Sequence, residues 1–279
     1  MPRPRPFAQI DVFAREPYRG NPVAVILDAE DIDSDEMQTV ARWTNLSETA
    51  FLLRPASPDA DYRVRIFTPG GELPFAGHPT LGSARAWLHH GGSPGTSGRI
   101  VQECGVGLIE LAHQDGRLAF AAPPLVRTGP LDDEFLGRIT TAFGLRRGQI
   151  VAHQWVDNGP GWAVVQVATA DEVLAIDADL SFIDDAKVGV IGSYPPGSRH
   201  AFELRGFAPA IGIAEDPVTG SLNAAVAQWL TTTGQAPDHY LVSQGTRLHR
   251  AGEIEIRVDD GTLWVGGDTT VCFTGSAIA

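Results

Sequence analysis

The sequence predicts an α+β protein of two pseudo-symmetric lobes, each a β-sheet wrapped around one central buried α-helix. Three observations carry this expectation. First, "ELPFAGHPTLG" at 72–82 is echoed by "EDPVTGSLNAA" at 215–225, and both contain Glu-x-Pro-x-x-Gly: Glu72, Pro74, Gly77 against Glu215, Pro217, Gly220. The echo continues upstream in order. Arg65-x-Phe67-x-Pro69 answers Arg205-x-Phe207-x-Pro209, Asp35-Glu36 answers Asp171-Glu172, and Asn21 answers Asn158. A single shared dipeptide means little, but an ordered set spaced by half the chain is the mark of a duplicated unit with small insertions. Second, short β-rich runs fill most of both halves. Third, "PTLGSARAWL" and "LNAAVAQWL" are small or apolar around their whole circumference, which marks buried helices. Each follows one copy of the motif.

The elements follow in chain order. "FAQIDVF" and "PVAVIL" read as strands, then Asp33 caps a helix over 34–44. "TAFLLR" and the alternating "YRVRIF" are strands of the half-buried kind, and the first central helix spans 79–90. "HHGGSPGTSG" at 89–98 is a flexible connection, and "GLIELA" returns to strand. "APPLVRTGPLDD" joins the lobes, so the N-terminal lobe covers 1–126 and the C-terminal lobe 127–279, with the final strand free to return to the first. The second lobe opens with a helix over 132–143 and continues with "WAVVQVA", "KVGVIG" and "HAFELRGF". Its central helix covers 222–233 and closes at Gly234, before "EIEIRV" and "TLWVGG".

Composition narrows the function. The 21 basic and 34 acidic side chains of the 279 residues give a net charge of −13, and no basic stripe of the kind nucleic acid requires is present. No apolar run reaches the roughly 18 residues of a membrane span. The Arg/Pro-rich start, "MPRPRP", lacks the apolar core of a signal peptide. With two cysteines and no export signal, a cytoplasmic location is expected.

The repeated motif sits at helix N-termini, where backbone N–H groups lack intrahelical partners and carry a partial positive charge. Pro79 suits the first helical position, which makes His78 the expected cap residue and Gly77 the point of close backbone approach. Ser221 is its counterpart, a favoured cap residue, with Thr219 and Gly220 beside it. Two such nests suit a ligand bearing a carboxylate; the plainer alternative is two well-capped buried helices. His78 in this position is expected to be neutral, a donor or a relay. Asp216 stands in the approach to the second helix. Glu48, in "TNLSETAFLLR", falls where a helix has ended and an apolar strand begins. A carboxylate beside a dry cleft has a raised pKa and can act as a general base; in open loop it is only a solvated acid.

"GNPVAVIL", "TNLSETAFLL", "RIFTPGGELPFAGHPTLGSA", "EDPVTGSLNAA" and "SQG", in this order across nearly the whole chain, resemble the PhzF-like family of the diaminopimelate-epimerase-fold superfamily. The resemblance implies lobes built of strongly curved, mostly antiparallel, barrel-like sheets with the active site between them. It implies a cofactor-free isomerase, usually a homodimer, that moves a proton along a small unsaturated carboxylic acid. The founding activity isomerises trans-2,3-dihydro-3-hydroxyanthranilate in phenazine biosynthesis, a secondary pathway. By motif, Glu48 is the proton shuttle, and His78, Asp216 and Ser221 bind substrate or relay protons; Gly77, Thr219 and Gly220 line the same turns. Where the superfamily's racemases carry two thiols, this chain has Ala76 and Thr219, so Cys104 in "ECGVG" and Cys272 are expected to be unreactive. Leu222 and the "TRLHRAGEI" segment depart from the family's usual residues, at positions where substrate could be shaped. Two alternatives stay open: altered chemistry on the same fold (C–C hydrolysis or epimerisation), or a non-catalytic carboxylate-binding protein. Other chemistries find little support. His89-His90 is an adjacent pair whose side chains are expected to diverge, no metal-ligand cluster accompanies it, and no GxGxxG follows a strand. Trp87 and Trp229 fall on apolar faces and read as core.

Overall fold

Parallel neighbours in a sheet need a crossover connection, and this requirement explains where the helices of the protein lie. A computed structural model describes residues 3–279; the first two residues of "MPRPRP" lie outside the described residues. The first unit comprises residues up to Ala121 together with Gly266–Ala279, and the second Ala122–Val265. The first contains β1 (Pro4–Val12), β2 (Asn21–Ile26), α1 (Ser34–Thr44), β3 (Glu48–Leu53), β4 (Tyr62–Phe67), β5 (Glu72–Leu73), α2 (Gly77–His89), β6 (Arg99–Cys104), β7 (Gly107–Gln114) and β8 (Arg117–Ala121). The second contains α3 (Asp133–Phe143), β9 (Ala152–Trp155), β10 (Trp162–Thr169), α4 (Ala170–Ala175), β11 (Lys187–Ser193), β12 (Phe202–Ala208), β13 (Ile213–Asp216), α5 (Gly220–Thr232), β14 (His239–Gln244) and β15 (Gly252–Asp259). The chain then runs through β16 (Thr262–Gly267) into β17 (Thr269–Ile278), which belongs to the first unit.

The two units repeat one another strand for strand. In the first, β1–β2 is antiparallel, β2–β3 parallel, β3–β4 and β4–β5 antiparallel, β4–β6 parallel and β6–β7 antiparallel. In the second, β9–β10 is antiparallel, β10–β11 parallel, β11–β12 and β12–β13 antiparallel, β12–β14 parallel and β14–β15 antiparallel. The parallel steps are spanned by α1 and α4, and by α2 and α5. The expected antiparallel ladders are therefore interrupted twice in each unit, and the sheets are mixed and open, not closed barrels.

α2 is the central helix of the first unit and packs on β1, β2, β3, β6, β8 and β17. Gly82 lets it come close: a Cβ there would lie 2.3 Å from Val23 Cγ1. In the second unit Leu222 of α5 is fully buried over Gly189 and Gly206. This corrects one expectation, because Leu222 is a core knob accommodated by two glycines. The outer faces are covered by α1, through Met37 and Ala41 against Phe51 and Phe67, and by α3, through Leu136, Ile139 and Phe143 against Val165 and Phe207.

The duplicated Arg-x-Phe and Glu encode one device. Arg65 of β4 grips Glu72 of β5 through Nε and Nη2 at 2.7 and 2.6 Å. Arg205 of β12 does the same to Glu215 of β13, at 2.9 and 2.8 Å. Each guanidinium lies over the phenylalanine two residues on, at 5.1 Å from the Phe67 centroid and 5.0 Å from that of Phe207.

Candidate functional site

Both central helices start two residues earlier than expected. Ala76 and Thr219 are the N-cap residues, extended and without a side-chain cap bond, so His78 and Ser221 lie inside the first turn. The reason is general: every position of the first turn lacks an intrahelical donor bond, so Pro79 is tolerated at the third helical position as well as the first. Removing His78 and Ser221 from the cap role frees their side chains for other partners.

In the first unit those partners converge. Glu48 opens β3 opposite Val23 of β2, and α2 packs on both strands. His78 Nε2 lies 3.4 Å from Glu48 Oε2, both residues being buried. Asn21, the first residue of β2 and fully buried, places Nδ2 3.4 Å from His78 Nδ1. Burial pulls the imidazole pKa down to about 3, against a weaker opposing hydrogen bond to the Pro22 backbone. The ring is therefore neutral at physiological pH, and its contact with Glu48 is not an ion pair. The expected neutrality holds, although desolvation, and not the helix terminus, leads its causes.

In the second unit the first turn of α5 is held from three sides. Ser221 Oγ accepts from the indole N–H of buried Trp162 at 3.1 Å, and Asn158 Nδ2 donates to the Ser221 carbonyl at 2.9 Å. Asp216 ends β13 and accepts the Thr219 hydroxyl at 2.6 Å. Gln244 of β14 accepts from Thr219 N–H at 3.0 Å and donates to Thr219 Oγ1 at 2.9 Å. The units match here too: Asn21 meets His78 as Asn158 meets Ser221. Gln102 of β6 donates to Thr80 Oγ1 at 3.0 Å, where Gln244 accepts from Asn223 Nδ2 at 2.8 Å. "SQG" holds Gln244 as part of a family motif and "VQE" holds Gln102 at the equivalent place in the repeat, but neither motif by itself gives its glutamine a role.

Cys104 ends β6 and, like Cys272, is a free thiol whose pKa burial pushes up. Among the described residues no group of three His, Cys, Asp or Glu is arranged to hold a metal, and no helix is long and apolar enough to cross a membrane. His89 and His90 do not diverge; their rings meet edge to face at 5.2 Å. A groove of about 680 Å³ in the second unit, lined by Arg127, Phe135, Arg138, Trp155 and Lys187 among others, shares no residue with the first turn of α5 and its partners.

Comparison with known proteins is extensive. The model of the PhzC-PhzF family, phenazine biosynthesis-like protein, matches residues 10–279. The chain is 36% identical to antisense-enhancing sequence 1 of Schizosaccharomyces pombe, over 97% of this chain and 98% of that one. It is 34% identical to the trans-2,3-dihydro-3-hydroxyanthranilate isomerase of Pseudomonas aeruginosa, over 91% and 90%. A predicted epimerase of Pseudomonas aeruginosa superposes with a TM-score of 0.80 at 26% identity, covering 99% of both chains. A hydroxyproline epimerase from Agrobacterium vitis shares the fold alone, with a TM-score of 0.64 at 13% identity over 99% of this chain and 93% of that one. Matched along nearly its whole length by motif, family model and fold, the chain belongs to the PhzC-PhzF family and is a PhzF-like isomerase.

Proposed function

We propose that the protein moves a proton within a small cyclic or unsaturated carboxylic acid by 1,3- or 1,5-transfer, without a cofactor, in the cytoplasm and in secondary metabolism. The observation that carries this reading is the buried Glu48–His78 pair, 3.4 Å apart, with a neutral imidazole. Glu48 takes the proton as the C–H bond breaks, the electron pair spreads along the unsaturated system, and the carboxyl group returns the proton to another carbon. Nothing is oxidised or reduced. His78, whose ring stays uncharged down to about pH 3, orients or relays and does not store the proton. In the first unit the N–H group of Gly77 is the donor offered to a carboxylate. In the second, Ser221 and the N–H group of Gly220 are the donors, Thr219 steadies the turn through its bond to Asp216, and Asp216 accepts from a donor group of the ligand. Mutating the base is the direct test.

Trans-2,3-dihydro-3-hydroxyanthranilate, the compound in the name of the Pseudomonas relatives, is the first substrate to try. In D₂O the wild type should place deuterium at the new C–H position. Glu48→Gln keeps the shape of the side chain and loses its basicity, so binding should survive within a few-fold while turnover falls by roughly 10²–10⁴. A Glu48→Gln enzyme working at the wild-type rate would refute the shuttle.

A further inference from the structure

Gln244 is fully buried at the end of β14, and its amide makes four hydrogen bonds. Its register, opposite Leu204 of β12 and Gly252 of β15, puts the side chain against the turn that joins β13 to α5. The direction of every bond can be worked out from one fixed point. Thr219 N–H can only donate, so the Gln244 atom at 3.0 Å from it is Oε1. Asn223 Nδ2 donates to the same oxygen at 2.8 Å. Gln244 Nε2 must then be the donor to the Asp216 carbonyl at 3.1 Å and to Thr219 Oγ1 at 2.9 Å. With that lone pair occupied, the Thr219 hydroxyl proton points at Asp216 Oδ2, 2.6 Å away.

We infer that Gln244 is a positioning residue, which fixes the Thr219 hydroxyl as a donor to Asp216 and so holds Asp216 as a hydrogen-bond acceptor toward the ligand. This rests on the reading that Asp216 touches the ligand. The equivalent glutamine of the first unit supports the assignment by contrast. Gln102 accepts from Tyr62 O–H and donates to Thr80 Oγ1, both at 3.0 Å, so these two bonds end on hydroxyl groups. The glutamine is a shared feature of the duplicated unit, and in the second unit its chain of bonds ends on the carboxylate of Asp216.

Gln244→Glu retains the acceptor for Thr219 N–H and Asn223 and replaces the donor to Thr219 Oγ1 with an acceptor. The Thr219 hydroxyl then turns away from Asp216. In ligand-free protein, the side-chain carboxyl ¹³C resonance of Asp216 should move in Gln244→Glu and in Thr219→Val. It should stay in place in Thr219→Ser, which keeps the hydroxyl. With trans-2,3-dihydro-3-hydroxyanthranilate, Gln244→Glu should raise KM by about tenfold, the worth of one hydrogen bond to a charged group, with kcat changed less. Asn223→Ala is the structural control: it removes a donor to Gln244 without reversing the relay, so it should lower the melting temperature and leave KM in place. An Asp216 resonance that ignores both Gln244→Glu and Thr219→Val overturns the assignment. So does an Asn223→Ala variant whose KM rises as far as that of Gln244→Glu. If the wild type leaves the diene acid unchanged, the proposed function fails for that substrate, and the resonance test alone decides the role of Gln244.

Discussion

The neutral state of His78 has a consequence for stability as well as for proton transfer. The ring's ordinary pKa is 6.5 and its folded value about 3, with burial as the cause. Between those values the unfolded chain binds a proton that the folded chain refuses. Stability is therefore complete above pH 6.5, falls as the pH drops through that window, and stops falling from this source below about pH 3. The slope due to one such group is about 1.4 kcal/mol per pH unit. His78→Asn should remove that slope from the acid limb, as read by urea unfolding at a series of pH values. Equal slopes in the two proteins between pH 6.5 and 4 would show that the ring is not held neutral. Burial of the same kind sets the state of Cys104 and Cys272, whose raised pKa values leave little thiolate for nucleophilic or acid–base work.

At the scale of the element, the repeated β-hairpin ion pair shows how one sequence device takes on different weights. Arg65 and Glu72 are 20% and 42% exposed, whereas Arg205 and Glu215 are 5% and 11% exposed. Water screens the first pair, and exposed pairs are worth about 0–1 kcal/mol. Removing one partner of the second strands a charge in the interior, a loss of about 3–5 kcal/mol. Arg205 also donates to the Val173 and Ile176 carbonyls at the end of α4, at 3.1 and 2.7 Å, so its loss uncaps a helix too. Arg65→Met should thus unfold nearly as wild type in denaturant, and Arg205→Met far earlier; equal midpoints would contradict this account. α4 itself, six residues long, is too short to give a periodic signal in the sequence. Its capping box, Thr169 with Glu172, was nevertheless visible as Thr-x-x-Glu.

For the whole molecule, the chain's two ends are joined within the first unit. β17 pairs antiparallel with β1 from Pro4 opposite Ile278 to Val12 opposite Thr269. Arg5, in the Arg/Pro-rich stretch at the start, is 2% exposed and donates from Nε to the Ala279 carbonyl at 2.7 Å. Its guanidinium also sits 2.7 Å from Asp31, and hydrogen bonding to Arg5 and Arg3 holds that carboxyl far below the usual range. The assembly proposed on the strength of the family resemblance is a two-fold homodimer. Light scattering at micromolar concentration should give twice the 29.8 kDa of the chain; a monomeric mass would remove the dimer from the proposal.

The sequence by itself determined whatever is written in short-range signals or repeated by duplication. Asp33 caps α1 where expected, accepting from the N–H group of Glu36 at 2.9 Å, and α3 begins within one residue of its expected start, with Asp132 as its cap accepting from Phe135 N–H at 2.8 Å. "YRVRIF" is β4, and the all-round apolar segments are the central helices. The motifs also singled out Glu48 and His78, and the fold brings them together. Only the tertiary structure decided where those helices begin, that Leu222 fills core space over two glycines, and that Arg5 is buried. It alone disclosed Gln244 as the hub of the Asp216 turn. Caps and alternation act over a few residues and so leave a local trace. The partners of Gln244 lie some twenty or more positions away, joined through strand register and helix packing, and those are set by the whole chain at once.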